Sequence, residues 1–452
     1  MKLNRICDFP AFSMMLILFG MLIAFPIAAR AQDEAPVPEE KTAADADAAS
    51  QNNIAGEFTP AKGFDIFKSE RGSLNISVYG LFRYLNQLPG EQTFVDHLGR
   101  VRTVKTRNDL NWHRSFVWLS GFFVDPKFRY TIAVWSLPTT QQTLVFGVLR
   151  YMVAKPLTLG VGIGPNLTCR SMQGSWPFWA GSDRQMGEEA LRGGFSSSFF
   201  ITGSPTDRTG YTASVTNNLS QLGVTATNDT RDLGYGASAW WMPTTGEFGP
   251  RGGFGDLENH QQVATRFGIS AATSRESRYA ALDQPPNATQ IRLSDGVYPF
   301  EAGALAEGVT IERLRYEDIA FDAGAKYRGF SIQGELTIRR LSDFLALDST
   351  TGKQVPSPSD AIVDRSLFLE AMQMVVPKKL GLYAAGSYLY DDFERHPWEL
   401  GGGVSFYPYG SRSWRLNMHI MHVEQSPAGS TFGYYTAGQT GTIFSLGTDI
   451  LL

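Results

Sequence analysis

The sequence predicts an all-β protein: a 16-stranded antiparallel transmembrane β-barrel. Three observations carry that prediction. Residues 440–452, TGTIFSLGTDILL, alternate apolar and polar side chains to the end of the chain. Leu452, Ile450, Thr448, Leu446 and Phe444 share one face, and Leu451, Asp449, Gly447 and Ser445 the other. Successive strand side chains point to opposite sides, so this is a strand with one oily face. Segments of the same period recur along the chain, and the connections between them alternate short and long.

The chain begins with an export leader. Lys2 and Arg5 precede the apolar run Phe12 to Phe25, and Ala29-Arg30-Ala31 forms a small-residue cleavage site. Residues 1–31 therefore read as a signal peptide, with Gln32 as the mature N-terminus. Its apolar run is short of the roughly 20 residues that a spanning helix needs. Cys7 leaves with the leader, so Cys169 stands alone and neither an intrachain disulfide nor a cysteine metal cluster is expected. Residues 32–65 open with an Ala-, Pro- and acid-rich stretch with almost no large apolar side chain, and read as a disordered periplasmic lead-in. Residues 1–60 hold 4 of the 40 basic and 8 of the 44 acidic residues, leaving 36 of each. A formally neutral remainder carries no basic field that would attract nucleic acid.

The barrel is assigned to residues 70–452. Its first strand is LNISVYGLFRY, with Leu74, Ile76, Val78, Phe82 and Tyr84 on one face and Asn75, Ser77 and Arg83 on the other. Further strands fall near 113–123, 127–136, 143–153, 157–164, 194–203, 209–217, 231–242 and 262–272. The series continues near 316–327, 329–341, 364–375, 379–390, 398–408, 412–424 and 440–452, an even total of 16. Asp125-Pro126, Lys155-Pro156, Arg328-Gly329, Pro377-Lys378 and Tyr409-Gly410-Ser411 are tight-turn sequences after even-numbered strands. The connections 85–112, 165–193, 273–315, 342–363 and 425–439 follow odd-numbered strands and are long. Short turns on one side and long loops on the other are the asymmetry of a bacterial outer-membrane barrel, and a soluble sandwich has no reason to show it. The connection 243–261 breaks the pattern, being long where a short turn is expected.

The loop at 165–193 carries Trp176, Phe178 and Trp179 beside Arg170, Arg184 and Arg192. Its position after the fifth strand suits a loop that folds into the lumen and constricts it. The three arginines are then pore-constriction candidates, with Asp183, Glu188 and Glu189 available to neutralise them. Arg83, Arg129, Arg150, Arg266, Lys326, Arg339 and Arg415 are pore-lining candidates, offset by Asp322 and Glu335. Rings of Lys or Arg attract anions in anion pores. Arginines paired with lumen carboxylates would instead leave a weakly selective, wet interior.

The chain resembles the phosphate-selective porin O/P family, or a close porin group allied to it. The resemblance rests on blocks such as GVGIGPNLTCRSMQGSWPFWAGSDRQM, NNLSQLGVTATNDTRDLGYGASAWWMPTTGEFGPRGGFGD, ATRFGISAATSRESRY, FDAGAKYRGFSIQGEL and FGYYTAGQTGT, spread over Leu74 to Leu452. It implies a homotrimer of 16-stranded barrels in the outer-membrane lipid, passing small hydrophilic solutes by passive diffusion, anions or phosphate in the characterised members. This chain departs from the family in its scattered rather than ladder-like basic residues, and in ending on Leu452 rather than Phe or Trp.

Other chemistries find little footing. The Gly249–Gly255 run lacks the following helix and the Lys of a phosphate-binding loop, so no cofactor is assigned. No histidine spacing resembles a zinc site, and no enzyme activity is expected. A barrel lipase built on Ser405 and His419 needs the two at a lipid-facing rim, whereas strand phase turns His419 toward water. Tyr151, Trp240, Trp241, Tyr388, Tyr390, Tyr407, Tyr434 and Tyr435 fall near strand ends and are assigned to aromatic belts. The rival functional class is a non-conducting structural or adhesive barrel whose long loops bind partners.

Overall fold

Period-two segments have nowhere to bury an apolar face except against lipid or one another, and here they close on themselves. The structure, a computed structural model, describes residues 59–137, 142–165, 167–173, 176–217, 232–278, 291–429 and 433–452. The leader at 1–31 and the lead-in up to residue 58 lie outside the described residues.

The wall consists of β1 (Gly72–Leu88), β2 (Asn108–Phe123), β3 (Asp125–Leu137), β4 (Gln142–Ala154), β5 (Leu157–Pro165), β6 (Phe195–Thr206), β7 (Thr209–Thr216) and β8 (Gly234–Trp241). It continues with β9 (Ala264–Ser277), β10 (Val309–Tyr327), β11 (Phe330–Asp348), β12 (Ala361–Val376), β13 (Leu380–Tyr390), β14 (Trp398–Phe406), β15 (Trp414–Glu424) and β16 (Gly441–Leu451). Each pairs antiparallel with its neighbours, and β16 returns to pair with β1 from Tyr79↔Leu451 to Leu88↔Thr442. The result is a closed 16-stranded antiparallel barrel, which leaves no edge to template association.

Strand phase sorts the side chains as alternation requires. In β16, Leu446 and Ile450 are exposed on the outside, while Ser445, Asp449 and Leu451 are buried on the inside. Outward residues such as Val145, Phe199, Ile269 and Leu446 form an apolar exterior suited to lipid. Among the described residues, no helix is long and apolar enough to cross a membrane, a test that does not bear on strands.

Turn geometry follows the local sequence. Between β10 and β11, Arg328 and Gly329 both adopt positive φ, at 47° and 81°, and Tyr327 pairs directly with Phe330. Two central residues with positive φ make the hairpin turn whose twist matches a sheet. Near the turn end of β2–β4, Phe123 lies edge-on to Phe128 at 4.3 Å, with Tyr151 beyond it.

Three sequence expectations are corrected. Residues 59–65, placed with the lead-in, are ordered against the barrel, and Phe64–Ser69 forms a strand paired with the start of β1. The loop expected at 85–112 is shorter, because β1 runs to Leu88 and β2 begins at Asn108; between them Glu91–Val95 and Val101–Lys105 form a separate hairpin. The aromatic belt loses Tyr407, Tyr434 and Tyr435, which are buried inside the barrel. Trp240 also points inward, beneath the Arg266 guanidinium at 6.0 Å. Position near a strand end does not distinguish an interfacial ring from one carried by an inward loop.

Candidate functional site

Everything that separates this barrel from an open tube lies inside it. The segment 167–193 leaves β5, turns into the lumen and carries α1 (Met186–Leu191), a helix of less than two turns. It packs on wall strands far from it in sequence. The Met186 amide donates to Glu399 Oε1 of β14 at 2.7 Å, and the Gly187 amide donates to Ser387 Oγ of β13 at 3.1 Å. These bonds satisfy two of the amides that a helix start leaves open. At its other end, Leu191 O accepts from Tyr316 Oη at 2.6 Å, and Ala190 O accepts from Arg339 at 3.2 Å.

An aromatic cluster anchors the same segment to β1–β3. Trp176 meets Tyr79 edge-on at 4.8 Å and Trp118 at 6.2 Å, while Phe116 stacks on Trp118 and Trp135. Offset and edge-on contacts of this kind add to the area that the rings bury. The lumen therefore has an apolar core of its own, which a wide water-filled porin interior would lack.

The three constriction candidates are all buried within this packing. The Arg170 amide donates to Glu335 Oε2 at 2.7 Å, and its guanidinium donates to Gln333 Oε1 at 2.7 Å. Arg184 lies 2.9 Å from Glu188, one helical turn on, and under 5% of its side chain is exposed. Arg192 forms a two-pronged pair with Glu189 at 3.0 and 3.1 Å. Arg184 and Arg192 thus each meet a loop carboxylate, the Arg170 guanidinium lies 3.9 Å from Asp322, and burial raises the Glu188 pKa against the pull of Arg184 and the Ser171 hydroxyl.

Of the lining candidates, Arg83 of β1 pairs with Asp183 of the loop at 3.1 Å and stacks over Tyr434. Arg266 of β9 pairs with Asp322 of β10. Arg339 of β11 pairs with Asp364 of β12 at 2.5 Å, and Arg415 of β15 with Asp449 of β16 at 2.6 Å. Lys326 donates to Phe248 O at 2.9 Å. Arg150 is buried and sits directly across from the half-buried Arg129 in the β3–β4 register. Arg83, Lys326, Arg339 and Arg415 each expose about 1% of their surface.

Sequence reasoning missed several of the partners. Asp364, Glu370, Glu399 and Asp449 are buried inward-facing carboxylates, each readable beforehand only from strand phase. The irregular connection 243–261 also has a place. It folds into the lumen from the turn end, where the Phe254 amide donates to Phe178 O at 2.6 Å and Arg251 donates to Trp176 O at 2.9 Å. Two inward segments from opposite ends therefore meet inside the barrel.

His419 is corrected as well. It faces the lumen but not water, stacked between Tyr383 at 5.6 Å and Tyr434 at 4.9 Å. Ser405 Oγ donates to Ala180 O at 2.7 Å, so the two side chains form no nucleophile–base pair at a lipid-facing rim.

The opposite sector of the wall is different in kind. Along β5–β9 many inward side chains are small, among them Gly160, Gly162, Thr202, Thr212, Ser238 and Ser270, with Phe200, Trp240 and Arg266 inward between them. Thr158, Thr202 and Thr212 retain partial exposure. The lumen is thus two-sided, with charge-paired packing along β1–β2 and β10–β16 and a hydroxyl-lined sector along β5–β9.

The sequence matches no protein-family model, and no curated protein matches it either. Among solved structures, the chain is similar to the outer-membrane-expressed OmpT of Vibrio cholerae, at 11% identity over 86% of this chain and 100% of that one, with a TM-score of 0.49. It is also similar to the anion-selective porin from Comamonas acidovorans, at 10% identity over 84% of this chain and 100% of that one, with a TM-score of 0.48. A third similar structure is OccAB1 of Acinetobacter baumannii, at 10% identity over 88% of this chain and 99% of that one, with a TM-score of 0.44. The barrel assignment rests on the chain's own strand pairing, which closes independently of these likenesses.

Proposed function

We propose that this chain is a bacterial outer-membrane porin that passes small hydrophilic solutes along the hydroxyl-lined sector of β5–β9, with weak ion selectivity. The observation that carries the reading is the two-sided lumen inside a closed, apolar-coated barrel. Small Ser, Thr and Gly side chains are frequent on one side, where Thr158, Thr202 and Thr212 keep partial exposure, while the other is filled by loops. Closed barrels of this kind suit an outer membrane, because every backbone group is paired within the wall.

The anion or phosphate preference implied by family resemblance draws little support. An anion route needs cations presented to the solute. Arg83, Arg184, Arg192, Arg339 and Arg415 are instead neutralised by Asp183, Glu188, Glu189, Asp364 and Asp449. The homotrimer belongs to the same proposal, and mass measurement of the detergent-solubilised protein checks it.

The burial of Arg83, Arg339 and Arg415 is the observation that favours the rival reading, a non-conducting barrel with partner-binding loops. Planar-bilayer recording separates the two. Discrete conductance steps with a small zero-current potential support the porin, and a silent bilayer supports the rival.

A further inference from the structure

Charge on the lipid face of a barrel is costly at the mid-plane and tolerated near the interfaces. Five arginines stand together on the outer face of β9–β12, toward the loop end: Arg275, Arg313, Arg315, Arg340 and Arg365. Strand phase fixes their direction. Arg275 and Arg315 share the face of the exposed Ile269 and Phe321, while Glu276, Leu314 and Tyr316 are buried on the other. Arg340 follows the exposed Leu336 by four residues, and Arg365 pairs with Ile338 of the same outward row.

Their height along the wall is equally defined. In β10 the outward row runs Arg313, Arg315 and Glu317, then Ile319, Phe321, Ala323 and Ala325 toward the turn. The arginines therefore stop where the apolar band begins, at the level of lipid headgroups rather than acyl chains. No Arg or Lys lies on the outward faces of β15 and β16.

Nearby carboxylates do not balance the group. Asp232 lies 3.8 Å from Arg275, Asp343 3.4 Å from Arg315 and Glu317 3.0 Å from Arg340. These three arginine side chains keep 41%, 42% and 52% exposure, so solvent screening leaves the pairs weak. Among the described residues, neither Arg313 nor Arg365 lies in an ion pair. Arg275 and Arg315 are also directly opposite in the β9–β10 register. Like charges so placed repel, and an anion lying over them removes that cost.

We propose that this outward arginine patch binds the phosphorylated headgroup of an outer-leaflet lipid. The proposal rests on the barrel spanning a membrane and is independent of whether it conducts. Position beside the apolar band selects a lipid over a free solute, and the surplus positive charge selects an anionic one. A guanidinium presents two parallel N–H donors that match a phosphate.

Native mass spectrometry of the detergent-folded full mature chain tests this, with bisphosphorylated lipid A as the probe. Dephosphorylated lipid A of the same acyl chains and inorganic phosphate serve as comparison ligands. Bisphosphorylated lipid A should bind about fivefold or more tighter than either. Arg313→Gln combined with Arg365→Gln breaks no ion pair and should weaken that binding about tenfold or more. Replacing all five arginines with glutamine should abolish the preference for phosphate. Lys127→Gln with Lys379→Gln, both exposed at the turn end, should leave it unchanged. Heat-modifiable electrophoretic mobility checks folding, and the double arginine variant decides the matter if the five-residue variant does not fold. Equal binding of lipid A with and without its phosphates overturns the proposal, as does unchanged affinity in the double variant or equal weakening by the turn-end pair. Inorganic phosphate binding as tightly as lipid A overturns the lipid assignment.

Discussion

Asp183 of the inward loop stands 3.1 Å from Arg83 of β1 and 3.4 Å from Arg114 of β2, and all three side chains are almost fully buried. This contact fastens the loop to the wall across a sequence separation of 100 residues. Burial works against the Asp183 charge, but the neighbouring Arg114 and Arg83 guanidiniums outweigh it, holding the carboxyl well below the usual carboxylate range.

Asp183→Asn should therefore leave two buried guanidiniums short of their anion and cost about 3–5 kcal/mol in a urea titration of the detergent-folded protein. The pH dependence has a defined sign. A depressed folded-state pKa stabilises the protein fully above the unfolded carboxylate value near 4, and the gain is lost as pH falls below it. Protease resistance of loop 167–193 should fall on acidification below about pH 4, and Asp183→Asn should flatten that response. Equal acid sensitivity in the variant would show that other carboxylates govern the loop.

Arg192 and Glu189 neutralise one another at 3.0 Å, so removing either should expose the charge of the other. Arg192→Ala should shift the zero-current potential toward cations, and Glu189→Gln toward anions. The triple change of Arg170, Arg184 and Arg192 to alanine should exaggerate the cation shift. Shifts of the same sign in both single variants would contradict the pairing.

Leu446 sits at the middle of β16 with half its surface exposed on the outer face. An arginine at the mid-plane of a barrel's lipid face costs about 2–4 kcal/mol. Leu446→Arg should lower folding stability in lipid vesicles by that amount, whereas Ile450→Arg, near the strand end, should cost less. Equal costs would mean that β16 does not cross the bilayer as its phase indicates.

Thr212 of β7 faces the hydroxyl-lined sector, paired across the wall with Thr202 and Ser238. Thr212→Trp should reduce single-channel conductance about twofold or more by filling that space. Val215, three pairs away, points outward and is exposed. Val215→Trp should leave conductance unchanged and serve as the control for tryptophan itself.

The wall was legible because each strand repeats every two residues and each turn advertises itself, as Arg328-Gly329 does with two positive φ angles. The 243–261 connection was legible as an anomaly, but its destination was not. That depends on Phe254 meeting Phe178 and Arg251 meeting Trp176, contacts about 75 residues apart in sequence. The lumen carboxylates were hidden for a related reason. Asp449 lies in the closing strand among small residues, and nothing local indicates that Arg412 and Arg415 converge on it. Tyr434 and Tyr435 misled because ring position at a strand end carries no sign of whether the loop turns in or out.

Planar-bilayer recording of the purified full chain in a salt gradient tests the central claim most directly. The account predicts discrete openings, a zero-current potential close to zero, and little change when phosphate replaces chloride. A bilayer that stays silent, or a large potential of either sign, would contradict it.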